Sequence, residues 1–179
     1  MALLSPTVLF ERVSCITPEF LEHNGVKGLI LDVDNTLTSH GSQELPEDVA
    51  QWLDLMRRSG IKMTIASNNM PARVEPFAKR VGLDYRAFCC KPSPFGLWRA
   101  RRALELEKNA VALVGDQIYT DSLGANLYGI RMFLVQPMHE DTKLTIRLKR
   151  MLEKPVLERY YKKGGHLIGK HSDEPKAGV

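Results

Sequence analysis

Short apolar runs recur along the chain without strict alternation of polar and apolar positions. They are Lys27–Asp32 (KGLILD), Ile61–Ala66 (IKMTIA), Ala110–Val114 (AVALV), Ile130–Val135 (IRMFLV) and a weaker one, Asp84–Cys89 (DYRAFC). Runs of this length fit strands buried on both faces, as in a parallel sheet. Helical patterns lie between them. Pro46–Ser59 spaces Val49, Leu53 and Met56 along one face, begins with acids, ends with Arg57 and Arg58, and is stopped by Gly60. That is favourable dipole and cap chemistry. Ala72–Val81, Pro94–Leu106 and Asp121–Tyr128 are the other helices, and Pro76 is expected to weaken or delay the first of these. Trp52 and Trp98 read as packing residues, and Cys89 with Cys90 as a buried strand end. Strand–helix alternation with short links predicts an α/β fold with right-handed crossovers and a mostly parallel sheet.

In such a sheet, ligands bind beyond the carboxyl ends of the strands. The first run is followed by Asp32-Val33-Asp34-Asn35-Thr36-Leu37, the second by Ser67-Asn68-Asn69, the weak one by Lys91-Pro92 and the third by Gly115-Asp116-Gln117, with Asp121 beyond. Two carboxylates separated by one residue and followed by Thr are not what a sheet core selects. Asp32, Asp34, Asp116 and Asp121 together place four carboxylates near one point, and their repulsion calls for a counter-ion. Mg²⁺ suits oxygen ligands and keeps room for a phosphate oxygen. A carboxylate facing phosphorus can act as a nucleophile, and a second carboxyl group can protonate the leaving oxygen and then activate water. Lys91 and the Ser67 hydroxyl would hold the remaining phosphoryl oxygens, with Asn68 beside them. Taken alone, Ser67 reads equally well as a helix N-cap and Lys91 as a solvated lysine; their places after strands turn both toward phosphate. Asn35, Asn68, Asn69 and Gln117 also suit turns.

Composition sets the class. The chain has 179 residues, 44% apolar and 26% charged, the profile of one globular domain. No apolar stretch approaches a membrane span, and the N-terminus lacks the basic region of a cleaved signal. Three cysteines without metal or disulfide spacing point to a reducing compartment. The five histidines suggest no metal site. The net charge of +4 is uneven: residues 1–142 hold 15 Lys/Arg against 17 Asp/Glu, whereas residues 143–170 hold 9 against 2. In that basic segment Thr142–Leu152 reads as amphipathic, Pro155 is expected to interrupt it, and Val156–Lys163 continues. It suits an anionic membrane surface, a packed helix with a solvated face, or RNA; nucleic acid is the least expected partner.

DVDNTL at 32–37, Ser67, Lys91 and GDQIYTD at 115–121 resemble the four ordered motifs of the haloacid dehalogenase-like (HAD) phosphatase superfamily. The resemblance implies a three-layer Rossmann-like core without a large cap domain, since only about 31 and 24 residues separate the first three motifs. It implies Asp32 as nucleophile and Asp34 as general acid/base, with Ser67 and Lys91 completing the catalytic set. Thr36 braces the loop, and Asp121 supports the metal shell or Lys91. Mg²⁺ is held by Asp32, Asp116 and Asp34, the last through its carbonyl. GVKGLILDVDNTLTSH, ASNN, KPSPFGLWRA and VGDQIYTDSLGANLYGI further resemble the YqeG-like branch, which includes phosphatidylglycerophosphate phosphatases. The expected organisation is an N-terminal segment (1–24) packing on the core, the phosphatase core (25–140), a basic helical segment (141–169) and a tail (170–179). The expected substrate is a phosphorylated lipid headgroup, phosphatidylglycerophosphate, met in the cytoplasm or peripherally at the inner face of a membrane. A soluble or macromolecular phosphomonoester, or a ribosome- or membrane-binding role with incidental hydrolysis, are the alternatives.

Overall fold

The computed structural model describes residues 3–138 and 144–169, with residues 144–150 described by their backbone. In chain order the elements are β1 (Val8–Phe10), α1 (Pro18–His23), β2 (Gly28–Leu31), α2 (Glu47–Arg58), β3 (Lys62–Ala66), α3 (Pro71–Val81) and β4 (Tyr85–Arg86). There follow α4 (Pro94–Leu104), β5 (Val111–Gly115), α5 (Leu123–Tyr128), β6 (Arg131–Val135), α6 (Leu144–Lys162) and β7 (Leu167–Ile168). The sheet order is β4-β3-β2-β5-β6-β1-β7, and every pairing among these strands is parallel.

The buried strands alternate their side chains between two apolar layers, as a pleated backbone requires. Leu29 and Leu31 of β2, with Ile65, Val114 and Phe133, meet Leu21 of α1, Leu53 and Met56 of α2 and Phe77 of α3 on one face. Ile30, Leu113, Met132 and Leu134 meet Leu97 and Ala100 of α4, Ala125 of α5 and Tyr160 of α6 on the other. The result is three layers, helices on both sides of one sheet.

Register then sets the site. Leu31 lies opposite both Ile65 of β3 and Val114 of β5, so the three central strands end at nearly one height. The chain direction also reverses here: β2 leads to β3 on one side, and β4 leads through α4 to β5 on the other. This is the switch point at which α/β sheets open a crevice.

Several elements differ from the sequence reading. β4 is confined to Tyr85–Arg86; beyond it Phe88 and Cys90 take left-handed backbone conformations, at φ 50° and 51°. Cys89 is buried there but Cys90 is exposed, so only one cysteine packs inward. Trp52 is a packing residue, its indole N–H donating to the Ile16 carbonyl at 2.8 Å. Trp98 instead stands on the surface. Pro76 lies inside α3, which Pro71 starts at its first turn, where no N–H is needed. Pro155 does not interrupt the C-terminal helix, which runs through it from Leu144 to Lys162. A helical proline removes one N–H from the ladder, and packing of Tyr160, Val156 and Leu157 on the core carries the helix past it. The Tyr119 hydroxyl also donates to the Leu152 carbonyl in this stretch, at 3.0 Å. β1, α1 and β7 had no counterpart in the hydrophobic pattern.

Candidate active site

Asp32 follows β2 directly, and its backbone N–H extends the ladder to the Val114 carbonyl at 2.9 Å. Its carboxylate therefore rises at the centre of the sheet end. Lys91 reaches it from the loop between β4 and α4, with Nζ 2.7 Å from Asp32 Oδ1 and also 2.7 Å from Asp121 Oδ1. The Lys91 side chain is only 2% exposed. Asp116, immediately after β5, completes the group: one carboxylate oxygen from each of Asp32, Asp116 and Asp121 falls within 4.8 Å of the others.

Asp121 enters this cluster from a π-helical turn, Ile118–Ser122. Its second oxygen accepts the Gln117 N–H at 3.1 Å, and Gly115 gives it room. A Cβ on Gly115 would stand 2.6 Å from the Asp121 carboxyl group, well inside van der Waals contact. The turn is anchored from the far side by Glu153 of α6, a buried carboxylate accepting the Ile118 N–H at 2.7 Å.

Ser67 is buried at the end of β3. Its Oγ accepts the Asn69 N–H at 3.2 Å, closing a small turn; α3 starts later, at Pro71, so Ser67 is not its N-cap. The loops bearing Ser67 and Lys91 are laced together. The Asn68 amide donates to the Lys91 carbonyl at 2.9 Å and accepts the Lys91 N–H at 2.6 Å, and the Cys89 N–H donates to the Ser67 carbonyl at 3.0 Å. Asn68 thus spends one donor and its carbonyl on fixing the Lys91 backbone. Thr36 is buried in the loop after Asp34, where the Val33 carbonyl accepts the N–H groups of Thr36, Leu37 and Thr38. Bracing there is by backbone, and the Thr36 hydroxyl has no hydrogen-bond partner among the described residues.

Asp34 stands apart from the three clustered carboxylates. Its Oδ1 accepts the Gly41 N–H and an Arg73 N–H, each at 2.8 Å. Its Oδ2 accepts the Asn69 amide, and His40 Nδ1 lies 3.9 Å from Oδ1. Of the expected metal set, Asp32 and Asp116 share the carboxylate cluster with Asp121, while the Asp34 side chain faces α3. Arg73, in the first turn of α3, carried no signal in the sequence: a lone arginine 39 residues from Asp34 joins it only through the fold. Glu153 carried a faint one, as an acid within a basic segment.

One lysine shared by several carboxylates explains the electrostatics. Burial pushes the Asp32 carboxyl up, the Lys91 ammonium pulls it down and the Asp121 charge raises it again, leaving it at about 6. Burial works against the charge on Lys91, but Asp121 and Asp32 outweigh it and hold the ammonium well above the ordinary lysine value. Burial also raises the Cys89 thiol, so this neighbour of Lys91 is no ready nucleophile. Three buried carboxylates around one ammonium are under-neutralised, and their oxygens suit a hard divalent cation.

A family model described as haloacid dehalogenase-like hydrolase matches residues 29–91, and one described as HAD-hydrolase-like matches residues 88–144. The chain is 35% identical over 159 residues to the probable phosphatase YqeG of Bacillus subtilis (strain 168), covering 89% of this chain and 92% of that protein. Among solved structures it resembles an uncharacterized protein from Listeria monocytogenes serotype 4b, with TM-score 0.54, 20% identity, and 66% and 85% of the two chains covered. It also resembles a hypothetical protein from Xanthomonas campestris, with TM-score 0.52, 16% identity, and 67% and 72% covered. These two likenesses are of fold.

Proposed function

The chain belongs to the haloacid dehalogenase-like phosphatases of the YqeG type, and from that premise we propose a Mg²⁺-dependent hydrolase of a lipid phosphomonoester, phosphatidylglycerophosphate. The observation that carries the chemistry is the buried Asp32–Lys91–Asp121 chain beside Asp116. Asp32 and Asp116, with the Asp34 carbonyl, would hold the metal, and the donor set is all oxygen. The ion supplies charge neutralisation at the phosphoryl oxygens and the carboxylates.

Asp32 attacks phosphorus in line, forming its acyl-phosphate bond as the bond to the leaving alcohol breaks. Asp34 gives that alcohol its proton. The Ser67 hydroxyl and the Lys91 ammonium hold the transferring oxygens, Lys91 turning part of its charge from Asp32 to phosphate as the carboxylate becomes an acyl phosphate. Asp34 then takes a proton from water, which attacks phosphorus and releases inorganic phosphate and free Asp32. Three donors hold the Asp34 carboxylate in the structure, so each proton transfer there needs one of them to give way.

The lipid assignment is supported by the openness of the sheet end. Residues 32–46 join β2 to α2 and residues 67–70 join β3 to α3; neither stretch is long enough for a cap domain that would enclose a small sugar phosphate. Among the described residues no helix is long and apolar enough to cross a membrane, so a lipid would be met at its headgroup. The test is phosphate release from vesicles carrying phosphatidylglycerophosphate, with and without Mg²⁺, against a panel of soluble phosphomonoesters. Faster release from the vesicles supports the reading; faster turnover of a soluble ester overturns the lipid assignment and leaves the phosphatase.

A further inference from the structure

Four of the large apolar side chains left on the surface lie on the segments that carry Ser67 and Lys91 and on the first turns of α4 that follow: Met70 (61% exposed), Phe88 (53%), Phe95 (61%) and Trp98 (42%). Met70 lies three residues past Ser67, Phe88 three before Lys91, and Phe95 and Trp98 four and seven after Lys91. They belong to one knitted surface. The Phe88 N–H donates to the Asn69 carbonyl at 3.1 Å. The first turn of α4 sits directly on the Phe88–Cys90 bend, since a Cβ on Gly96 would be 2.4 Å from the Cys89 carbonyl oxygen. Phe95 stacks on Trp98 with ring centroids 5.6 Å apart, and the Arg102 guanidinium lies 5.6 Å from the Trp98 ring centre. Phe88 keeps its exposed place in a left-handed conformation that bulky residues avoid, and strain of that kind gathers at functional surfaces.

From Tyr85 to Leu104 the chain carries basic residues and no acidic one, although Lys91 is buried in the site and Arg101 is spent on the Leu106 carbonyl and the Tyr128 hydroxyl. Arg99 and Arg102 are exposed. Exposed Phe and Trp interleaved with arginines match the boundary between headgroups and acyl chains in an anionic bilayer. A protein partner fits less well. Four half-exposed side chains offer on the order of 400 Å², about half of what one side of a stable protein interface buries.

We propose that Met70, Phe88, Phe95 and Trp98, flanked by Arg99 and Arg102, form the surface by which this protein docks on an anionic bilayer, seating the mouth that holds Asp32 and Lys91 against the lipid headgroups. The proposal rests on the lipid-phosphate reading above and moves the membrane contact from the basic C-terminal segment to the rim of α3 and α4.

Binding is read without catalysis, so this proposal and the phosphatase reading fail separately. The full chain is mixed with phosphatidylglycerol/phosphatidylcholine vesicles, with and without brominated acyl chains, and followed by sedimentation and tryptophan emission. Trp98 is exposed and Trp52 is buried, so wild-type emission should be quenched only by brominated vesicles containing phosphatidylglycerol. Phe95→Ser/Trp98→Ser should lower the sedimenting fraction at least fivefold while its far-ultraviolet circular dichroism and melting curve stay those of the wild type, showing an intact fold. Sedimentation without quenching places the contact elsewhere and overturns the proposal. So does absence of vesicle binding, or a concentration-dependent dimer that shields Trp98.

Discussion

The Lys91 ammonium stands 2.7 Å from Asp32 and, on its other side, 2.7 Å from Asp121, so one buried cation serves two carboxylates delivered by different strand ends. Its removal has two expected consequences. Lys91→Met should lower kcat on p-nitrophenyl phosphate on the order of 10²–10³-fold, the usual cost of a lost donor to transition-state charge. It should also destabilise the metal-free protein by roughly 3–5 kcal/mol, because it leaves buried charges uncompensated. Thermal melts with added Mg²⁺ should recover part of that loss, as the ion replaces the missing charge.

The nucleophile must be ionised, and its carboxyl sits at about 6. At limiting Mg²⁺, kcat/KM should fall about tenfold per pH unit below that value. Saturating Mg²⁺ favours the ionised form and should move this acid limb to lower pH. A pH–rate profile at two Mg²⁺ concentrations checks both; a limb that stays in place would separate Asp32 from the metal.

Asp32→Asn should abolish turnover and phosphoenzyme formation, with a loss on the order of 10⁴-fold or more. The same change should stabilise the metal-free protein at neutral pH. The raised Asp32 carboxyl contributes stability that is fully present below its unfolded value near 4 and is lost as pH rises through about 6. The difference amounts to about 3 kcal/mol, and Asn carries no charge to bury. Melts of wild type and variant should therefore converge near pH 4 and separate above pH 6, and added Mg²⁺ should stabilise only the wild type.

Arg73 holds Asp34 from α3, and its role is to position that carboxylate. Arg73→Gln should lower kcat by about ten- to a hundredfold, the range expected when a reacting group is misplaced by an ångström or so, with KM changing little. Arg73→Lys should recover part of kcat. A loss confined to KM would mean that Arg73 binds substrate instead.

Glu153 links α6 to the turn that delivers Asp121. Glu153→Ala leaves the Ile118 N–H buried without this acceptor, at a cost of about 1–3 kcal/mol, or a fall in Tm of roughly 5 °C. Turnover should drop with it as Asp121 loosens. Glu153→Gln retains an acceptor oxygen and should restore most of both.

The order of chemistry along this chain was legible because Asp32, Ser67 and Asp116 each directly follow an apolar run, and the other catalytic groups lie a few residues beyond one. A strand buried on both faces is a continuous stretch of Leu, Ile and Val, and a carboxylate at its end has nowhere to go but the open edge of the sheet. GLILD and VALVGD announce Asp32 and Asp116 for that reason, and the fold class with them. What sequence could not decide were relations between residues far apart in the chain. Arg73 meets Asp34 because β3 lies beside β2 and returns α3 over the same end. Glu153 reaches Ile118 because α6 folds back on the second face. Pro155 stays helical because core packing outweighs one missing hydrogen bond. Trp98 reads as core by spacing, yet it stands outside, since α4 buries Leu97 and Ala100 and leaves the adjoining face to solvent. Local pattern specifies which residues end a strand; only the packed sheet fixes which ends, and which side chains from distant helices, converge.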